Sequence, residues 1–206
     1  MLSKILKTKN PENKFWDWFK KNSDKFSDFR NEDSEKQEKI VDEILKHLHE
    51  YCDNLWVQIG GPSDEYTELI ITAEGNRDYF ENSKTLVDKA PQIDKWKIIS
   101  LMPPLDVDNI NYSDISITLN DLAYRPVINF EDVTSICIAI YVKDYSEKSK
   151  SENFETAIHK FLDQIVGEEC YGYVSYVDFE EWQEGIEPNI TDLHNYIMTK
   201  KEGYEK

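Results

Sequence analysis

Arginine, cysteine and long apolar runs are scarce in this 206-residue chain, and each scarcity weakens or removes a class of function. Arg30, Arg77 and Arg125 are the only three arginines. With so few planar guanidinium forks, a nucleotide or phosphosugar site loses its usual bidentate phosphate ligands. Cys52, Cys137 and Cys170 are too far apart for a metal knuckle or a redox pair, and their odd number disfavours a disulfide scaffold. They read as buried thiols in a reducing cytoplasm. The longest candidate apolar run, Ile136–Val142, has seven residues, enough for a buried strand but far short of the roughly 20 that cross a bilayer. The opening Met1–Lys7 mixes lysine with apolar residues and has no apolar signal core, so the expectation is a soluble cytoplasmic protein without membrane attachment.

Catalytic signatures are also missing. There is no serine elbow, Walker loop or Cys-x-x-Cys, and Gly60-Gly61 and Gly167 lie outside any phosphate-cradling pattern. His47 and His49, two apart on a helix, point about 200° from each other and make no same-face metal pair. His47 borders an apolar stripe, His49 faces outward, and His159 and His194 stand alone on their helices. Asp106, Asp108 and Asp114 lack the calcium-loop spacing and its central glycine. No metal site and no cofactor is expected.

Acid is abundant instead. Forty-one Asp and Glu against 24 Lys and Arg give a formal charge of −17. Between Leu101 and Ile136, Asp106, Asp108, Asp114, Asp121, Glu131 and Asp132 face Arg125 alone. Such a surface repels nucleic acid and is compatible with a basic protein as partner; the alternative is that the acidity serves solubility alone. Oligomeric state is not legible from the sequence.

The order of elements points to an α+β fold. Asn10 and Pro11 open a helix whose inner face is Phe15, Trp18, Phe19, Asn22 and Phe26, with Trp16 off that face. A second helix follows Ser34, with Ile40, Val41, Ile44, Leu45, Leu48 and Cys52 as its stripe, and stops near Asp53. Leu55–Ile59 and Thr67–Thr72 read as a hairpin around Gly60–Asp64. A helix bearing Tyr79, Phe80, Ser83, Leu86, Val87 and Ala90 ends at Pro91, and Trp96–Leu101 is the returning strand. Pro103-Pro104 and the polar run Asp106–Ser113 mark the boundary between halves, 1–104 and 105–206, within one body.

The order then recurs. Strands at Ile115–Leu119 and Ser135–Val142, a helix capped by Asn153 and a strand at Gly172–Phe179 repeat the unit about 60 residues on. The expectation is two tandem β-β-α-β units whose antiparallel or mixed sheet is covered by helices, with extra N-terminal and C-terminal helices. The last helix spans Pro188–Met198, and Thr199–Lys206 reads as a disordered tail.

Site candidates follow from residue chemistry. For acid/base catalysis the carboxylates are Asp114, Asp121, Glu131, Asp178 and Glu180, with Glu180-Glu181 read as solvated rim. The second half is also rich in tyrosine: Tyr124, Tyr141, Tyr145, Tyr171, Tyr173 and Tyr176. Tyrosines amid carboxylates suit recognition, since they bury rigid area while keeping a polar tip. Tyr124, Tyr171, Tyr173 and Asp178 are the candidate interaction residues. In a regular strand Tyr171 and Tyr173 share a face and Tyr176 takes the other.

Phe15-Trp-Asp-Trp-Phe19, Glu68–Asn76 and Ala90-Pro91 followed by Trp96 resemble a group of uncharacterised bacterial cytoplasmic proteins of similar layout. The resemblance covers the first half and implies an α+β fold without implying a mechanism. The favoured functional expectation is a non-catalytic acidic interaction module, of an inhibitor or immunity-like kind. The alternative is a small-molecule enzyme using carboxylate acid/base catalysis in a cleft between the two units.

Overall fold

In the computed structural model of the chain, which describes residues 10–61, 63 and 65–204, Pro11 opens the first helix, α1 (Pro11–Phe26). The reading of Met1–Lys7 lies outside the described residues. Phe15, Phe19 and Phe26 are buried as their spacing predicts, but Trp16 is buried with them, 2% exposed, while Trp18 is only half-buried. The polar atom of Trp16 explains the difference. Its indole Nε1–H donates to the Leu86 carbonyl at 2.7 Å, so the ring enters the core without an orphaned donor.

Helix α2 (Ser34–Leu48) is capped by Asp33, one residue ahead of Ser34; the Asp33 carboxylate accepts from the Lys36 amide. It ends at Leu48, earlier than its apolar stripe suggests, because the Tyr51 and Cys52 amides both turn back to the Leu48 carbonyl. Strands β1 (Trp56–Gly60) and β2 (Thr67–Thr72) pair antiparallel. Helix α3 (Phe80–Asp88) then crosses over to β3 (Trp96–Ser100), which lies parallel to β2. β2 is buried along its whole length, as a central strand with apolar residues on both faces must be. Ser83 ties the helix to it, donating Oγ–H to the Ile71 carbonyl at 2.6 Å.

The chain divides between Leu101 and Met102 into two units, one residue before the double proline that marks the boundary in the sequence. Hydrogen bonds set this point. The Leu101 amide donates back to Ile71 of the first unit, whereas the Met102 amide and carbonyl both bond to Glu168 of the second.

The second unit begins with a hairpin of β4 (Asn109–Tyr112) and β5 (Ile115–Thr118). Its main sheet contains β6 (Leu122–Val127), β7 (Ile136–Val142) and β8 (Val174–Glu181) in that order, with β6 antiparallel and β8 parallel to β7. The sequence of pairings equals that of β1, β2 and β3. Two expectations are corrected here. Ile115–Leu119 is not the partner of β7 but of β4, and the polar run before it contains a strand. The partner of β7 is β6, whose Pro126 is accommodated because β6 lies at the sheet edge.

Among the described residues the unit also has the α-helices α4 (Tyr145–Lys148), α5 (Phe154–Val166), α6 (Glu168–Tyr171) and α7 (Leu193–Tyr204). Phe154, Ala157, Ile158, Phe161 and Leu162 of α5 join Ile138, Ile140 and Val142 of β7 in one core with Leu193 and Ile197 of α7. Each of the valine, leucine, isoleucine and phenylalanine side chains so removed from water stabilises by about 1.5–3 kcal/mol. The tail is a correction: α7 runs on to Tyr204, with Lys201 Nζ 4.2 Å from the Tyr173 ring centroid and 3.9 Å from the Glu169 carboxylate. Among the described residues no helix is long and apolar enough to cross a membrane.

Candidate interaction site on the second unit

β6 and β7 pair from Leu122 opposite Val142 to Val127 opposite Cys137, so residues 128–135 bridge the open end of the hairpin. The polar side chains of this loop bond to the loop itself. The Asn129 carboxamide oxygen accepts from the amides of Glu131 (3.0 Å) and Asp132 (3.3 Å). The Asp132 carboxylate accepts from the Thr134 amide (3.0 Å), the Thr134 hydroxyl (2.6 Å) and the Ser135 hydroxyl (2.6 Å). The Ser135 and Thr134 hydrogen bonds hold Asp132 below the usual carboxylate range, so it stays ionised.

With its polar groups so engaged, the loop leaves its apolar groups in water. Ile128, Phe130 and Val133 are 68%, 87% and 67% exposed. Tyr176, 55% exposed, stands beside Cys137 in the β7–β8 register, at the end of the sheet where the loop returns. Three large apolar side chains exposed so close together in the sequence make this loop the candidate interaction site.

Beside the loop, one polar network crosses all three strands. Arg125 Nε–H on β6 donates to the Tyr141 hydroxyl on β7 at 3.0 Å, and its terminal nitrogen pairs with the Glu180 carboxylate on β8. Arg125 is thus committed, and Glu131, Asp132 and Asp178 have no other cation between Leu101 and Ile136 to offset them. Asp178 is exposed on β8, and its Oδ1 accepts from the Phe179 amide at 2.9 Å. Glu180-Glu181 is not simply a solvated rim. Glu180 is half-buried against Arg125, and Glu181 accepts from the Tyr145 and Ser146 amides at the start of α4, with the Ser146 hydroxyl first among the bonds that lower its pKa.

The other carboxylate candidates are dispersed. Asp114 sits in the β4–β5 turn and accepts from Asn153 Nδ2 (2.9 Å) and Ser151 Oγ (3.0 Å), bonds that lower its pKa. Asn153 therefore tethers this hairpin and makes no side-chain cap for α5. Asp121 closes a capping box with Thr118; burial pushes its pKa up, and the Thr118 amide and hydroxyl more than reverse this. Of the sequence candidates, Asp178 and Glu180 lie on β8 and Glu131 in the loop before β7, while Asp114 and Asp121 have separate structural roles.

Three of the tyrosines pack rather than project. Tyr124 lies tilted against Tyr196 at 5.5 Å, and its backbone is clasped by the Asn189 carboxamide. Tyr173 donates its hydroxyl to Glu169 at 3.3 Å. Tyr171 belongs to α6 and bonds through its hydroxyl to His159 Nδ1. The expectation that Tyr171 and Tyr173 share a strand face is corrected, since β8 starts only at Val174. Tyr176 is the tyrosine that remains exposed in the strand.

A partly buried titratable cluster escaped the sequence reading. Burial, reinforced by Glu168, raises Asp163 to about 6, one turn of α5 from His159. Burial lowers the His159 pKa and raises that of the Tyr171 phenol, and it pushes the Cys170 thiol up to about 12. Glu168, 1% exposed, accepts from the Met102 amide at 2.8 Å. The signal in the sequence was the imidazole and carboxylate at i, i+4 on the amphipathic helix α5. Glu168 ties the start of α6 to the segment at Met102.

In the first unit a shallow cavity of about 160 Å³ is lined by Pro11, Lys14, Phe15, Trp18, His47 and Glu50. The His47 imidazole stacks on Trp18 at 3.9 Å. His49 does not simply face outward: it is half-buried, with Nε2 3.0 Å from the Leu55 carbonyl. His194 Nδ1 lies 2.8 Å from the Val166 carbonyl. Among the described residues no three His, Cys, Asp or Glu side chains gather as a metal site.

The apolar loop residues Ile128, Phe130 and Val133 also escaped the sequence reading. Their signal is apolar residues set among turn formers, Asn129 and Asp132-Val-Thr-Ser135, immediately after Pro126. Comparison with protein-family models and with curated proteins finds no match, so the resemblance of the first half rests on its own quoted residues.

Proposed function

We propose that this chain is a non-catalytic, cytoplasmic protein-interaction module, inhibitor or immunity-like in kind, that masks a basic protein through the β6–β7 loop and Tyr176. The exposure of Phe130 beside Glu131 and Asp132 carries the reading. Folding gains nothing from an aromatic ring left in water, whereas association gains from burying it. The net charge of −17 supports a basic partner by speeding encounter and disfavouring acidic competitors.

The test is affinity capture with the tagged chain from lysate of its source organism, at low and physiological salt, against an acidic control protein of matched charge. The expected result is one basic protein enriched over the control, with enrichment falling as salt rises. Recovery of the same proteins by chain and control at both salt concentrations would overturn the reading.

A further inference from the structure

The shape and charge of the β6–β7 loop identify the kind of surface that receives it. Ile128, Phe130 and Val133 are exposed in the segment that joins two strands rather than along a strand face, so a cleft that admits the segment buries more of them than a flat surface does. A concave apolar receptor buries them together. The loop's conformation is already fixed by the Asn129 and Asp132 side chains, which reduces the ordering cost of inserting it.

Charge sets the rim of that receptor. Residues 128–135 carry Glu131 and Asp132 and no cation, and the nearby Arg125 is held by Tyr141 and Glu180. A carboxylate-flanked plug entering an apolar cleft loses hydration at its rim unless lysine or arginine replaces it. A second copy of this chain, equally acidic, is a poor occupant. We infer that the β6–β7 loop is a plug, with Phe130 at its centre, that enters an apolar cleft rimmed by lysine or arginine on a basic partner protein. This rests on the interaction reading above and names the partner surface.

The experiment uses the full chain expressed in its source cells with the photo-crosslinking residue p-benzoylphenylalanine in place of Phe130, of Tyr176, or of the exposed control Glu184. Crosslinked peptides are mapped on the partner, and the purified partner is titrated with the wild-type chain, Phe130→Ser and Glu131→Lys. The expected result is one protein crosslinked from positions 130 and 176 but not 184, through an apolar segment flanked by lysine or arginine. Phe130→Ser is expected to weaken binding at least tenfold, and Glu131→Lys about threefold or more at low salt with less effect at high salt. Folding of both variants is checked by circular dichroism.

A crosslink from position 130 into an acidic or uncharged segment, or unchanged affinity of Glu131→Lys, overturns the basic-rimmed cleft and leaves the interaction reading standing. A partner crosslinked from position 184 alone overturns the loop as the interface. No crosslink from any of the three positions overturns both.

Discussion

The Trp16 indole N–H donates to the Leu86 carbonyl at 2.7 Å, joining α1 to α3 through the core of the first unit. Leu86 also accepts from the Lys89 amide, so its oxygen keeps a partner when the indole is removed. Trp16→Phe is therefore expected to destabilise by about 1–3 kcal/mol, from the lost hydrogen bond and the cavity left by the smaller ring. Urea unfolding followed by far-ultraviolet circular dichroism measures it.

Trp16 also shows where sequence reading stopped. The three-to-four spacing of Phe15, Phe19 and Phe26 gave the buried face, but periodicity does not reveal that a carbonyl on a distant helix receives an indole. β2 and β7 were legible from their apolar runs, Leu69–Ile71 and Ile136–Val142, and both lie in the centre of a sheet. β4, Asn109-Ile-Asn-Tyr112, has polar residues at alternate positions and reads as a linker, while Arg125-Pro126 disguises β6. The candidate site was half legible. Asp178, Glu180 and Glu131 could be named from the sequence, but the exposure of Phe130 follows from the loop lying beyond the sheet, and sequence alone predicts a buried phenylalanine as readily.

Gly167 has φ +84°, and a Cβ placed on it would lie 2.7 Å from Pro104 Cδ and 2.9 Å from Pro104 N. Both the backbone conformation and the space demand glycine. Gly167→Ala is expected to cost about 2–4 kcal/mol, with the change read from thermal and urea unfolding.

Asp163 makes stability depend on pH in the direction opposite to an ion-paired carboxylate. Its folded pKa, raised to about 6 by burial and Glu168, exceeds the ordinary value of 3.8. Its favourable contribution is therefore fully present below about pH 4 and is lost as pH rises through about 6. Asp163→Asn is expected to be more stable than the wild type at pH 8 by on the order of 1–2 kcal/mol, allowing for partial solvent screening, and to lose that advantage near pH 4. Urea midpoints across this range decide it; equal differences at both ends would refute the assignment.

The thiols should divide by burial. Cys137 and Cys170 are buried and Cys52 is half-buried, and burial holds the Cys170 thiol protonated up to about pH 12. At pH 8 a disulfide reagent is expected to modify Cys52 first, with Cys137 and Cys170 reacting only when the chain unfolds. Mass spectrometry of the modified native protein gives the order.

The most direct test of the interaction site is quantitative capture from source lysate with the wild-type chain and with Ile128→Ser/Phe130→Ser/Val133→Ser, three substitutions at exposed positions. The variant should fold with an unchanged circular dichroism spectrum and lose at least tenfold of the enrichment of the partner that the wild type captures. An unchanged partner profile from a folded variant would contradict the loop as the recognition element.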